Sequence, residues 1–188
     1  MRPGLCERIE YEYIRHGVLC LIGSFDVVTG KAISPSIGET RTEAGFLEHI
    51  KRTIELSPDS TWRFVVDQLN THQSESLVRW VVLMENLEIP GEELGKKGRS
   101  GILKSQATRQ EFLTSPDRKI RFLYIPKHSS WLNQIEIWFS VVVRRVLKRS
   151  NFESVDALRD RLLAFIDYFN QTMAKPYRWT YTGKPLTA

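Results

Sequence analysis

Two carboxylates far apart in this chain could share one chemistry. Asp67 closes the apolar run Trp62-Arg63-Phe64-Val65-Val66, and Glu136 ends the segment Leu132-Asn133-Gln134-Ile135-Glu136. A short apolar run reads as a strand buried on both faces, and in open α/β sheets ligands collect beyond the carboxyl ends of such strands. Asp67 stands at such an end. From Ser130 onward, steps of three or four join Asn133, Glu136, Ser140, Arg144 and Lys148 into a polar helical stripe, opposite Leu132, Ile135, Phe139, Val142 and Val146. If that helix packs beside the strand, the two acids converge on a hard cation such as Mg²⁺, which takes oxygen ligands and keeps waters that phosphate oxygens can replace. A pair of such ions, about 3.5 to 4 Å apart, would clamp both oxygens of an in-line phosphoryl displacement. Each acid also has a plain structural alternative. An Asp after a strand can cap the next helix, and a Glu on an amphipathic helix is usually a solvated charge.

The elements that must position these acids can be read from periodicity and punctuation. Ile9, Tyr11 and Tyr13 alternate with Glu10 and Glu12, and Val18 to Phe25 reads as a strand. Thr29-Gly30 supplies a hairpin turn before Lys31-Ala32-Ile33. Thr42 starts a helix with Phe46, Leu47, Ile50 and Ile54 inside, stopped by Ser57-Pro58. Ser74 caps a second helix through Leu77, Val78, Val81 and Val82, and Pro90-Gly91 opens a basic, glycine-rich stretch up to Lys104, read as an exposed loop. A short helix at 108–113, a strand at 120–125 and two long helices near 130–149 and 154–173 complete the order. This predicts one α/β domain over 1–188 with a mixed central sheet flanked by helices.

Composition narrows the setting. Lys and Arg number 27 against 22 Asp and Glu, a formal charge of +5 that is compatible with a polyanionic partner. The excess gathers downstream of Asp67, at Lys96, Lys97, Arg99, Lys104, Lys127 and the cluster Arg144 to Arg149. Cys6 and Cys20 match neither a zinc site nor a disulfide framework, so a reducing cytoplasm is the default. Apolar stretches such as Val18 to Ile22 fall short of a membrane span.

Asp67 with His72 five residues on, followed far downstream by Pro126-Lys127-His128-Ser129-Ser130-Trp131-Leu132-Asn133-Gln134-Ile135-Glu136-Ile137-Trp138-Phe139, resembles the catalytic domain of bacterial insertion-sequence transposases related to the mariner group. Arg15-His16-Gly17 and Tyr168-Phe169-Asn170-Gln171-Thr172-Met173-Ala174-Lys175-Pro176 extend the resemblance over nearly the whole chain. It implies an RNase H-like fold and a DDE or DDD acidic triad, with Asp67 as the second acid, Glu136 as the third, and both as ligands to two Mg²⁺ or Mn²⁺ ions. It also implies phosphodiester hydrolysis at transposon ends, strand transfer to target DNA, and a homodimer on that DNA. Mariner relatives have roughly half the interval separating Asp67 from Glu136, so residues 91–115 look like a basic insertion lying near DNA. The family's first strand and first acid have no counterpart upstream of the hairpin. Glu7, Glu10, Glu12 and Asp26 do not match that acid by position. The expectation is therefore an N-terminally truncated domain, inactive alone, or complemented by a separately encoded N-terminal portion. Its alternative is a catalytically inactive remnant that at most binds DNA or another protein; a third reading is a related nuclease or resolvase without strand transfer.

The remaining candidates stay open at this stage. His72 orients Asp67 or a phosphate, or makes only a structural hydrogen bond, with Asn133 as a second supporting residue. Lys127, His128, Arg144 and Arg145 contact DNA, or are surface charges and ordinary cations at a helix C-terminus. Trp131, Trp138, Tyr168 and Phe169 are read as core.

Overall fold

The computed structural model describes residues 16–126, 129, 132–148 and 150–176. Residues 9–14, Lys127, His128, Trp131 and Arg149 lie outside them. Strands β1 (Cys20–Asp26) and β2 (Lys31–Gly38) form the expected antiparallel hairpin. Asp26 closes its turn: the carboxylate accepts from Val28 N at 2.9 Å and Thr29 Oγ1 at 2.6 Å, and its carbonyl accepts from Gly30 N at 2.7 Å. Gly30 has φ +73° and lies against the Lys175 backbone, so both conformation and space exclude a side chain there.

Helix α1 (Glu43–Glu55) starts where Thr42 Oγ1 accepts from Gly45 N at 2.9 Å. Strands β3 (Trp62–Val66) and β4 (Ile120–Tyr124) pair in parallel, from Trp62 opposite Ile120 to Val66 opposite Tyr124. Between them run a 3₁₀ turn at Asn70–Gln73, α2 (Glu75–Met84) capped by Ser74, the single turn α3 (Gly91–Leu94), and α4 (Gln106–Thr114). Helix α5 (Gln134–Val142), a π-helical turn at Val143–Leu147 and α6 (Val155–Thr172) follow.

The strands lie between two helical layers. Phe46 and Ile50 of α1, Leu77 and Val78 of α2, and Phe112 of α4 pack with Phe64 and Phe122 on one side. Trp138, Val142, Leu162, Ile166 and Phe169 of α5 and α6 form the other core. β1 serves both, with Ile22 against the first and Leu21 and Phe25 against the second. Fully buried side chains such as Leu77 and Phe122 each contribute about 1.5 to 3 kcal/mol.

The α/β class and flanking helices agree with the sequence reading, and four details differ. Among the described residues β1 pairs only with β2 and β3 only with β4, so the antiparallel and parallel parts are two ladders instead of one mixed sheet. The helix expected from residue 130 begins at Gln134, with Asn133 as its N-cap, and its last turn widens so that Lys148 N donates to Val143 O at 2.7 Å. That widening breaks the polar stripe before Lys148. Tyr168, expected in the core, is 56% exposed, while Phe169 is buried. Successive helical residues point about 100° apart, and the inner direction belongs to Leu162, Ile166 and Phe169. Finally, the stretch to Lys104 is anchored: Lys96 bridges Ser100, and Leu103 is fully buried. Among the described residues no helix is long and apolar enough to cross a membrane.

Candidate active site

Asp67 directly follows β3, where the chain turns into the 3₁₀ segment. Its Oδ1 accepts from Leu69 N at 3.1 Å and lies 2.8 Å from His72 Nδ1. His72 is held at two further points, one on its ring and one on its backbone. Phe46 packs against it with ring centroids 4.3 Å apart, and Tyr124 donates its hydroxyl to the His72 carbonyl at 2.7 Å. Burial holds the His72 pKa below its ordinary 6.5, although the Asp67 carboxylate opposes the shift. His72 is therefore neutral at pH 7 and, because a carboxylate only accepts, carries its proton on Nδ1 toward Asp67. The contact is a hydrogen bond from a neutral imidazole.

Glu136 occupies the first turn of α5 with its side chain exposed. Asn133, placed beside it in the expected stripe, instead turns its Oδ1 to the Ile135 amide at 3.4 Å. A cavity of about 1130 Å³ is lined by Asp67 and His72 on one side and by Ile135 and Glu136 on another, so both acids border the same space.

Lys96, Lys97, Arg99 and Lys104 are exposed on the segment between α3 and α4, and Arg144 and Arg145 are exposed on the π turn. Lys97 Nζ is 3.7 Å from Glu43, an exposed pair of small energetic weight. Lys127 and His128 fall outside the described residues.

Two supporting residues escaped the sequence reading. Arg109 is buried; its Nε donates to Gln73 O at 2.7 Å and Nη1 to Leu103 O at 3.0 Å, fastening the basic segment to the turn that carries His72. The signal was present: Arg109, Phe112 and Leu113 share one face of α4 at spacings of three and four. His49, also buried, meets Ser24 Oγ at 2.9 Å and Ser36 Oγ at 3.1 Å, joining α1 to both hairpin strands.

The cavity lining includes the Asp67 and Glu136 carboxylates, whose oxygens suit a hard divalent cation held by one or two carboxylates plus substrate phosphates. Among the described residues no three His, Cys, Asp or Glu side chains gather closely enough to hold an ion by themselves.

Helical layers on both sides of short parallel and antiparallel strands, with carboxylates bordering a cavity at a strand end, define an α/β domain of the RNase H-like kind. The family model described as DDE superfamily endonuclease matches residues 1–159, and the chain belongs to that family. Searches of curated proteins and of solved structures returned no match. Domains of this family act on DNA and generally use divalent metals.

Proposed function

We propose that the chain is the catalytic domain of an insertion-sequence transposase of the mariner-related group, hydrolysing a phosphodiester at the transposon end and joining the freed 3′-hydroxyl to target DNA. The observation that carries this reading is that Asp67 and Glu136, on different elements, border one cavity. Asp67 and Glu136 would hold Mg²⁺ or Mn²⁺. A bound divalent ion supplies Lewis-acid stabilisation of phosphate oxygens and activates water. His72 fixes the rotamer of Asp67 through Oδ1 at 2.8 Å, and Tyr124 and Phe46 fix His72. Lys96, Lys97, Arg99 and Lys104, with Lys127, His128, Arg144 and Arg145, neutralise phosphates along the DNA. The enzyme works as a homodimer on paired ends.

The test is cleavage of labelled transposon-end oligonucleotides in Mg²⁺. The chain alone should cut little, and addition of the upstream-encoded segment should restore cutting that Asp67→Ala and Glu136→Gln both abolish. Robust cutting by the chain alone, lost in Asp67→Ala, would overturn completion by a second portion. Failure to cut with every upstream segment present would overturn the transposase reading.

A further inference from the structure

We propose that the small pocket between Arg41 and the turn at 68–71 is a phosphate subsite, holding the DNA backbone phosphate that neighbours the one at Asp67. The inference deepens the reading above, on which its DNA arm rests.

Three observations meet at this pocket. The first is its make-up. A cavity of about 220 Å³ is lined by Arg41, Gln68, Leu69, Asn70 and Thr71. Arg41 is exposed on the connection between β2 and α1, and none of the ion pairs among the described residues involves it. The lining therefore carries one full positive charge and no negative one. A guanidinium matches a phosphate in both charge and planar fork geometry.

The second is the arrangement of amides and hydroxyls. Asn70 Oδ1 accepts from Gln106 Nε2 at 2.5 Å, so its acceptor is taken and its Nδ2 donor is left for a ligand. Gln68 Nε2 donates to Ile125 O at 3.0 Å and Gln73 Nε2 to Gln68 O at 3.4 Å, which fixes the turn from behind. Thr71 Oγ1 is buried with no hydrogen-bond partner among the described residues. A buried hydroxyl in that state calls for an explanation, and a bound anion that accepts its proton supplies one.

The third is position. Leu69 and Thr71 follow Asp67 in one tight turn, and Arg41, Leu69 and Thr71 also line the larger cavity bordered by Asp67 and Glu136. Both ends of the basic segment reach the same rim. Lys97 Nζ stands 3.7 Å from Glu43, which follows Arg41 and Thr42, while Gln106, just beyond Lys104, holds Asn70. A DNA strand running from Lys97 and Lys104 toward Asp67 thus crosses the pocket, where its phosphate meets a guanidinium, an amide donor and a hydroxyl.

The probe is inorganic phosphate, titrated into the isotope-labelled full chain in metal-free buffer. The amide resonances of Asn70 and Thr71 should shift saturably while those of α6 stay in place. Arg41→Gln should weaken this binding at least about tenfold, the loss expected of a charge-assisted hydrogen bond. Asn70→Asp keeps the acceptor for Gln106 but sets an anion on the pocket wall, and should abolish binding. Arg159→Gln, which removes the same charge from α6, should leave it unchanged. All three variants should nearly keep the parent Tm, since each residue is exposed. Duplex DNA should shift the same two amides and compete with phosphate, and its slope of log K against log salt should shrink by about 0.9 in Arg41→Gln. Phosphate binding that DNA neither shares nor displaces would make this a pocket for free anions and overturn the subsite. Absence of shifts with both ligands, or equal phosphate affinity in Arg41→Gln, would overturn it outright. Shared binding in a protein that never cuts DNA in Mg²⁺ would uphold the phosphate pocket and count against the transposase reading.

Discussion

Arg109 Nε donates to the Gln73 carbonyl at 2.7 Å, so a buried guanidinium on α4 sets the position of the turn that presents His72 to Asp67. The same side chain reaches Leu103 O through Nη1 at 3.0 Å. Arg109→Ala should leave two carbonyls without their charged donor and open a void beside α2, costing about 2 to 4 kcal/mol. Arg109→Lys should recover only part of this, since an ammonium cannot span both acceptors with a planar fork. Urea unfolding of the three proteins checks the order.

Asp67→Asn should separate structure from metal binding. The carboxylate is partly exposed and bonded to a neutral imidazole, so the substitution should lower stability by no more than about 1 kcal/mol. Loss of the anionic ligand should weaken Mn²⁺ binding at least about tenfold, as followed by calorimetry. Equal Mn²⁺ affinity in the two proteins would remove Asp67 from the ligand set.

His49 predicts an acid limit to stability. Burial lowers its pKa from 6.5 to about 4. The unfolded chain therefore binds a proton at this site that the folded chain refuses between those values, and folding stability is full above pH 6.5 and lost as pH falls toward 4. The shift corresponds to about 3 kcal/mol. His49→Gln should flatten this segment of the stability curve measured by urea titration at successive pH values, at the expense of stability near neutrality.

The basic segment makes a prediction about salt. Replacing Lys96, Lys97, Arg99 and Lys104 by Gln should leave Tm nearly unchanged, because all four are exposed. Fluorescence anisotropy with duplex DNA across a salt series should show the slope of log K against log salt reduced by about 0.9 for each phosphate contact removed. An unchanged slope would place the DNA elsewhere.

What could be read from sequence was local. Thr42 and Ser74 announced their helices by cap chemistry, and Gly30 its hairpin by backbone freedom, because each signal acts within a few residues. Asp67 and Glu136 were singled out by type and position, and both border one cavity. Asn133 was misplaced because a cap and a first-turn residue share the same composition, and only backbone dihedrals separate them. Tyr168 was misplaced because neighbours on a helix differ in direction more than in hydrophobicity. The gap between the two ladders left no trace in the strands themselves, since which edges join is decided by elements remote in the chain.

The π turn at Val143–Leu147 has a consequence for the cations that ride on it. Their heading is set by counting, one more backbone unit per loop of helix, and hardly at all by the chemistry of Arg144 and Arg145. Removal of a single codon there would tighten the loop to an ordinary spiral covering nearly the same rotation, so the chain beyond would keep its heading while the side chains inside the loop changed theirs. A deletion that changes no charge would thus re-aim the two arginines and little else, a kind of variation that comparison by residue type alone would overlook.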